Sequence, residues 1–588
     1  MAGLSLSIKR RLMAVLILFS ALFIAILGRT AYVQLIQGPQ IQGKAYFQQN
    51  AVKSISPSRG NIYDRNGSTL AISMPAENVV ANPKDIAKAK GDVNQIAQKL
   101  EGVLGVSKDE IVKKLSNDSY FETIKSKVDK SVADNVRDLI KTNNIKGIYL
   151  VEDTKRFYPN DNLAAHVIGF TNSDGHGLQG IEKTMENYLK GTPGEVLSEV
   201  DAGGRLSPIE DAKKIDVQNG LNVVLTIDET IQSIASKALE EAITKNNVIG
   251  GGVAIVMDPQ NGDVLAMVSY PDFNLNDPYK APVSPDIDPK TWNGTSQKGV
   301  EVLNSTVWRN KAVSNTYEPG STFKALPAAA ALEEGTVTPD TLIDDSPVHI
   351  DTWTINSFIG YNYRGKIPFR DGVYESSNPV FVRVAQGLGI NRFYQYARAF
   401  GLNDRTNIDL PGEQNSIFQK NPKEIDLAAN AFGQRFNITP IQLATAYTAI
   451  ANGGKLMKPR LVKELTDSEG TVVKTFEPEV TRNVISKQTS DTLKQILEGV
   501  VAEGSGKAAY VKGYRIAGKT GTSETTTSDV YVASFAGLAP VDRPAINVLV
   551  TLFNPRGESY FGGAVAAPVA GKIIEDTLTY LGVPRSDN

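Results

Sequence analysis

Three short motifs combine residue types that can carry out acyl transfer. They are Ser321–Lys324 (STFK), Ser376–Asn378 (SSN) and Lys519–Thr522 (KTGT), in that order along the chain. A serine hydroxyl can attack a peptide or lactam carbonyl when a neighbouring base removes its proton, and a lysine can replace histidine as that base. The motifs therefore predict a site that forms a serine acyl-enzyme.

The first motif places a candidate nucleophile at the start of a helix. Tyr317–Gly320 (YEPG) breaks the chain, and Ser321 opens an alanine-rich segment that stops at Gly335. A helix start offers Ser321 free N–H groups and the positive dipole end. Lys324 lies one turn further on the same face. It can act as a base only when neutral, which burial near a second cation such as Lys519 favours. Because a Ser-x-x-Lys spacing also arises by chance, this motif needs the other two.

The second motif supplies a hydroxyl and an amide in a polar turn. Ser376 can relay a proton between the lysine and a leaving amine. Asn378 offers both a donor and an acceptor, so it can hold the lysine and a substrate amide together. Taken alone, the same residues are typical of a helix N-cap.

The third motif follows a predicted strand and provides groups for binding an acyl donor. Gly521 lacks a side chain, so an acyl chain can lie along the strand as an added edge. Lys519, Thr520 and Thr522 can bind a terminal carboxylate through charge-assisted hydrogen bonds. The backbone N–H groups of Ser321 and Thr522 are the natural oxyanion hole. Taken alone, the motif also fits a solvated strand end.

The N-terminus predicts a membrane anchor. The basic cluster Lys9–Arg11 precedes an uncharged apolar run from Leu12 to Gly28, near the lower length limit for a spanning helix. Basic residues before the run place the N-terminus in the cytoplasm. We predict a cytoplasmic tail (1–11), an uncleaved single-pass anchor (12–28) and an extracytoplasmic remainder. The alternative is a cleaved signal peptide, which needs a small-residue cleavage site.

Composition excludes several classes of function. The 588 residues carry 62 basic and 64 acidic side chains, so nothing indicates a nucleic-acid partner. The chain has no cysteine, which rules out disulfides and thiol chemistry. Its three histidines, His166, His176 and His349, have no ligand spacing. We expect neither a metal nor a cofactor.

The remaining pattern predicts an α+β multidomain protein. Residues 29–220 mix strands with amphipathic helices and carry no catalytic cluster, so they form a pedestal. Residues 221–588 predict an antiparallel sheet flanked by helices. Its strands are 253–257, 264–268, 513–517, 530–537 and 545–553.

The motifs and their order resemble those of the penicillin-binding transpeptidases, and the resemblance covers nearly the whole chain. The anchor and the absence of a glycosyltransferase segment resemble the monofunctional class B members. The supporting segments are Arg59–Gly67, Arg156–Pro159, Ala165–Phe170, Gly180–Glu182, Gly262–Met267, Thr439–Ala444 and Gly562–Pro568.

This resemblance implies a fold like that of serine β-lactamases and a peptidoglycan D,D-transpeptidase activity. Ser321 would attack the D-Ala-D-Ala carbonyl of a stem peptide, expel D-alanine and pass the acyl group to an amine. β-Lactams would trap Ser321. The resemblance further implies the cytoplasmic membrane of a bacterium, a septal, cell-division role, and contact with a SEDS-type glycosyltransferase and divisome proteins.

Two residues depart from the family pattern. Arg435 stands where Gly-Gln-Gly is common, and Pro327 lies early in the predicted Ser321 helix, where it could kink it. The alternatives are a serine β-lactamase or β-lactam sensor, an elongation or sporulation transpeptidase, and a non-catalytic scaffold for wall synthesis. Against a lactamase, class D enzymes carry Ser-x-Val at the second motif, and Glu424–Ala428 lacks the asparagine of the class A deacylation loop.

Overall fold

The computed structural model of the chain describes residues 6–32, 37, 50–199, 214–284, 287–357 and 362–586. The first five residues of the predicted cytoplasmic tail lie outside these ranges. The chain divides into two compact units. One contains Met1–Pro57 and Gly191–Asn219, and the other contains Ser58–Lys190 and Gly220–Asn588.

Of the strands in the described ranges, numbered in chain order, seven have only two or three residues. The strands are β1 (Asn50–Ile55), β2 (Ile62–Tyr63), β3 (Thr69–Ala81), β4 (Glu122–Val128), β5 (Ile148–Phe157), β6 (Gly194–Glu199), β7 (Lys214–Ile215), β8 (Asn222–Leu225), β9 (Gly252–Met257), β10 (Val264–Tyr270), β11 (Leu342–Asp344), β12 (Val348–Ile350), β13 (Trp353–Ile355), β14 (Lys366–Pro368), β15 (Lys455–Met457), β16 (Val462–Thr466), β17 (Val472–Thr475), β18 (Val480–Asn483), β19 (Ala517–Glu524), β20 (Tyr531–Ala539) and β21 (Ile546–Phe553). All strand pairings in these ranges except that of β2 with β8 are antiparallel.

The helices in the described ranges vary from four to 27 residues in length. They are Leu6–Tyr32, Pro83–Lys88, Val93–Leu104, Lys108–Leu115, Lys130–Thr142, Ala165–Ile168, Gly180–Thr184, Glu186–Leu189, Glu229–Lys245, Gln297–Ser305, Lys311–Ser314, Ala325–Glu333, Phe369–Tyr374, Asn378–Ala399, Glu424–Asn430, Pro440–Ala451, Lys487–Ala502, Gly562–Val565 and Ala567–Tyr580, with 3₁₀ turns at Gly320–Lys324 and Lys507–Ala509.

The first unit contains the predicted anchor and a small sheet. Its helix Leu6–Tyr32 extends the predicted apolar run at both ends. Over Arg10–Tyr32 the mean hydropathy reaches 2.4, and this is the one helix in the described ranges that is long and apolar enough to cross a membrane. Strand β6 pairs with β1 on one side and β7 on the other, all antiparallel.

In the second unit, one sheet of seven strands joins segments from both sides of residue 220. Its order is β17-β16-β8-β2-β3-β4, and β5 also pairs with β3. Strands β2 and β8 run parallel, whereas their other neighbours are antiparallel. Helices Val93–Leu104 and Lys130–Thr142 share a hydrophobic core with β3 and β4 that includes Leu100 and Val136, which are both fully buried.

A buried ion-pair network joins distant segments of the second unit. Glu182, which has no exposed surface, accepts hydrogen bonds from Arg59 and Arg156 at 2.6 Å each. Arg59 also pairs with Glu186 at 2.6 Å. Gly60 must lack a side chain, because a Cβ there would lie 1.9 Å from a backbone oxygen. These contacts explain why Arg59 and Gly60 are found just before strand β2, where the chain joins the sheet.

The main sheet of the second unit is the predicted antiparallel sheet with helices on both faces. Its order is β10-β9-β21-β20-β19. Helices Glu229–Lys245 and Ala567–Tyr580 cover one face around a core that includes Ile231 and Ile574. Helix Pro440–Ala451 packs on the other face. The predicted fold class is confirmed. The predicted strand 513–517 was wrong in its bounds, because the edge strand β19 runs from Ala517 to Glu524 and contains the third motif instead of preceding it.

Candidate active site

The first motif lies in a 3₁₀ turn. Gly320–Lys324 forms this turn, and the α-helix begins only at Ala325. The prediction that Ser321 opens an α-helix was therefore wrong by four residues. Pro327 gives the physical reason, since proline has no N–H and fits only in the first turn of an α-helix. The expected kink does not arise, because Pro327 lies in that first turn.

The Lys324 amine is surrounded by hydrogen-bond acceptors of the second motif. Lys324 is 0% exposed, and its Nζ donates to the Ser376 carbonyl oxygen at 2.6 Å and to Asn378 Oδ1 at 2.7 Å. The Ser376 hydroxyl is 3.2 Å from the same nitrogen. Burial and the positive charge of Lys519 hold the pKa of Lys324 well below its ordinary value of 10.5.

Lys519 approaches the same hydroxyl from strand β19. Its Nζ is 2.9 Å from Ser376 Oγ and also donates to the Thr520 carbonyl oxygen at 3.2 Å. Lys519 has no exposed surface, and burial lowers its pKa to about 7. The Ser376 hydroxyl therefore lies between two buried amines. Ser376 also has a left-handed backbone (φ 59°), which is uncommon for a residue with a side chain.

The hydrogen-bond partners fit a neutral Lys324. The Ser376 carbonyl and Asn378 Oδ1 can only accept, so they take the two N–H groups of an amine. Its lone pair then remains for a hydroxyl. Because Lys519 donates to the Ser376 hydroxyl, that hydroxyl is free to donate its own proton towards Lys324. The arrangement can carry protons between the two lysines through one oxygen.

A cavity of about 370 Å³ lies in front of this network. Ser321, Ser376 and Asn378 line it together with Thr520 and Thr522 of β19. The Ser321 hydroxyl makes no hydrogen bond to any described residue, so it is available to a ligand. The cavity is also lined by residues outside the three motifs, which were not predicted as site residues: Glu375, Phe432, Gln434, Ser505, Phe561 and Gly563. Of these, only Glu375 adjoins a motif.

Of the predicted residues of the third motif, Thr520 and Thr522 line the cavity, whereas Lys519 is buried in the interior. Thr520 Oγ1 is 3.2 Å from Ser505 Oγ, and Thr522 Oγ1 accepts from the Gly562 N–H at 3.0 Å. A Cβ on Gly521 would lie 2.9 Å from the Pro319 carbonyl oxygen and 3.0 Å from a Thr322 side-chain atom. Gly521 therefore lets β19 pack closely against the serine turn, which is a different reason for glycine than the predicted room for an acyl chain.

A second glycine, Gly433, also packs against the serine turn. The Gly320 N–H donates to the Gly433 carbonyl at 2.9 Å. Gly433 has φ +83°, and a Cβ there would lie 2.0 Å from the Gly320 carbonyl oxygen. In the same loop Arg435 has φ 66°, pairs with Asp426 at 3.1 Å, and its N–H donates to Glu318 at 3.0 Å. Arg435 thus occupies a left-handed position that glycine would adopt without strain.

Comparison with known proteins identifies the family. Residues 252–575 match the penicillin-binding protein transpeptidase domain, and residues 54–225 match the penicillin-binding protein dimerisation domain. The first of these matches spans more than half of the chain. The chain belongs to the penicillin-binding protein transpeptidase family. It is thus an enzyme of the serine transpeptidase type, as the motifs predicted.

Related members of the family span almost all of this penicillin-binding protein. Stage V sporulation protein D of Bacillus subtilis is 34% identical over 99% of this chain and 88% of its own length. Peptidoglycan D,D-transpeptidase FtsI of Escherichia coli is 30% identical over 95% of this chain and 90% of its own. Penicillin-binding protein 3 of Mycobacterium tuberculosis, solved with aztreonam, is 25% identical with a TM-score of 0.66, covering 91% of this chain and 98% of that one.

The packing of the serine turn against Gly433 yields a prediction. In Gly433→Ala the new Cβ meets the Gly320 carbonyl oxygen, so the turn must move and carry Ser321 with it. A displacement near 1 Å is enough to slow acylation by penicillin about a hundredfold. The measurement is the second-order rate constant for acylation by a fluorescent penicillin.

Gly335→Ala is the matched control. Gly335 also has a positive φ (+64°), but nothing lies within 4 Å of its Cβ position. Backbone strain should lower the free energy of unfolding of this control by about 1–2 kcal/mol, and its acylation rate should be unchanged. Equal acylation rates in the two variants would contradict the assigned role of Gly433.

Proposed function

We propose that this penicillin-binding protein is a peptidoglycan D,D-transpeptidase that cross-links stem peptides through an acyl-enzyme on Ser321. The observation that carries the proposal is the Lys324 amine. This amine is buried, and its pKa is lowered. It forms hydrogen bonds with Ser376 and Asn378 behind the cavity that Ser321 lines. A neutral amine in that place is a base for a serine hydroxyl.

In the first half of the reaction, Ser321 Oγ forms a bond to the carbonyl carbon of the penultimate D-alanine. Its proton passes to Lys324 Nζ. When the peptide C–N bond breaks, that proton passes by way of the Ser376 hydroxyl to the leaving nitrogen, and D-alanine departs as an amine. The 2.9 and 3.2 Å contacts of Ser376 Oγ with the two lysine amines support such a relay.

In the second half, an acceptor amine attacks the same carbon and the ester bond to Ser321 breaks. The amine loses a proton to Lys324, and Ser321 Oγ recovers one, so the site returns to its starting state. Asn378 holds Lys324 through both halves. Its Nδ2 also donates to the Asn356 carbonyl oxygen at 3.0 Å, which fixes the amide orientation.

Strand β19 provides the proposed donor-binding wall. The Thr520 and Thr522 hydroxyls line the cavity, and the buried charge of Lys519 lies behind them, which favours a terminal carboxylate. The Ser321 and Thr522 backbone N–H groups are proposed as the oxyanion hole, with Gly521 between the wall and the serine turn. A β-lactam presents the same carboxylate and carbonyl, so it should acylate Ser321 and remain bound.

Mass spectrometry of the full-length protein after penicillin treatment tests this proposal. We expect one adduct, on a peptide containing Ser321, that persists while free penicillin is exhausted. Ser321→Ala should lose the adduct and keep its unfolding midpoint, because this hydroxyl bonds to no described residue. An adduct elsewhere would refute the nucleophile, and rapid loss with steady hydrolysis would indicate a β-lactamase.

We further propose a role in cell division, together with a SEDS-type glycosyltransferase and divisome proteins. The similarity to a D,D-transpeptidase named FtsI supports this role, and the similarity to a protein named for stage V sporulation is the reason to test it. A fluorescent fusion should concentrate at septa of dividing cells and co-purify with a polytopic glycosyltransferase. Labelling of side walls or forespores alone would contradict the division role.

The proposed topology is an N-terminus in the cytoplasm and a catalytic part outside the cytoplasmic membrane. Arg10 and Arg11 precede the apolar stretch of the Leu6–Tyr32 helix, and basic residues favour the cytoplasmic side. In intact spheroplasts, external protease should remove a C-terminal tag and leave an N-terminal tag. The reverse pattern would overturn this orientation.

A further inference from the structure

The cavity wall carries one charged group to which the proposed mechanism gives no role. Among the described residues that line the cavity, Glu375 is the only ionisable one. Its carboxylate forms no hydrogen bond or ion pair with any described residue. A carboxylate that is half-buried in a functional cavity without a partner is available to a ligand.

The backbone of Glu375 is held firmly on both sides. The Ser505 N–H donates to the Tyr374 carbonyl at 3.1 Å, and a Cβ at Gly499 or Gly504 would collide with Tyr374. On the other side, Ser376 binds both lysines. The Glu375 N–H also donates to the Asp371 carbonyl at 2.9 Å. The carboxylate therefore projects from a fixed turn.

The cavity lining contains groups that favour an anion and one group that favours a cation. Thr520, Thr522 and the buried Lys519 of β19 favour an anion. The Glu375 carboxylate repels an anion and attracts a cation. The donor brings a carboxylate, whereas an aliphatic acceptor amine is an ammonium group near neutral pH, since its pKa is about 10.

We propose that Glu375 binds the ammonium group of the acceptor stem peptide and thereby selects cationic amines for cross-linking. This inference rests on the proposed transpeptidase function. A charge-assisted hydrogen bond to Glu375 offsets the repulsion that an ammonium meets from Lys519. It holds the acceptor in the cavity that Ser321 lines. The bound ammonium gives its proton to water before the free amine attacks.

The test compares two nucleophiles that remove the acyl group from the same acyl-enzyme. The full-length protein in detergent micelles is acylated by a thioester analogue of the acyl-D-Ala-D-Ala donor. Nα-acetyl-L-lysinamide serves as the cationic acceptor and hydroxylamine, which is uncharged near neutral pH, as the neutral one. In Glu375→Gln the apparent KM for the lysine amide should rise about tenfold, with a similar maximal rate. Hydroxylamine release and donor acylation should stay within about twofold.

Two further variants serve as controls. Glu477→Gln removes a carboxylate from an exposed position outside the cavity lining and should behave as wild type. Glu375→Asp keeps the charge and should restore part of the preference for the lysine amide. High salt should weaken that preference in the wild type and not in Glu375→Gln.

The outcomes separate this inference from the proposed function. If the wild type is not acylated by the thioester, or no amine releases the acyl group, the transpeptidase proposal fails. If the wild type transfers the acyl group and Glu375→Gln has an unchanged KM for the lysine amide, the role of Glu375 alone is refuted. Equal losses with both nucleophiles would make Glu375 a structural residue and would also refute it.

Discussion

Two lysine amines are buried on either side of a single serine hydroxyl, and the rest of the site depends on that arrangement. Two adjacent ammonium groups without an anion cannot both remain charged in the interior. Lys324 avoids this conflict by giving up its proton, and its two acceptor contacts to Ser376 and Asn378 suit the neutral form. Burial of Lys324, together with the repulsion from Lys519, thus creates the base that a serine nucleophile needs.

The fold supplies that arrangement by bringing three distant segments together. Lys519 lies on strand β19, and Ser376 lies in the turn that precedes helix Asn378–Ala399. Lys324 lies in the 3₁₀ turn. Glycines at positions 521 and 433 allow the strand and a loop to approach the serine turn closely. Because a Cβ at either position would collide with this turn, backbone packing sets the position of Ser321.

The sequence predicted much of this, since each motif is short and lies at an element boundary. The antiparallel sheet, the flanking helices and the residues of the three motifs followed from local patterns. Glu375 and Ser505 could not be assigned to the cavity, because their places depend on contacts between segments far apart in the chain. The 3₁₀ turn at Ser321 was missed because its cause, Pro327, was interpreted as a possible kink rather than as a first-turn residue.

The most direct test of the neutral Lys324 is a pH titration by NMR with lysine labelled at ¹³Cε, the Lys324 signal being assigned by its loss in Lys324→Arg. The account predicts a midpoint well below that of the exposed lysines. It also predicts that Lys519→Gln raises this midpoint, because removing a neighbouring positive charge favours protonation. A Lys324 midpoint equal to that of exposed lysines, and unmoved in Lys519→Gln, would contradict the account.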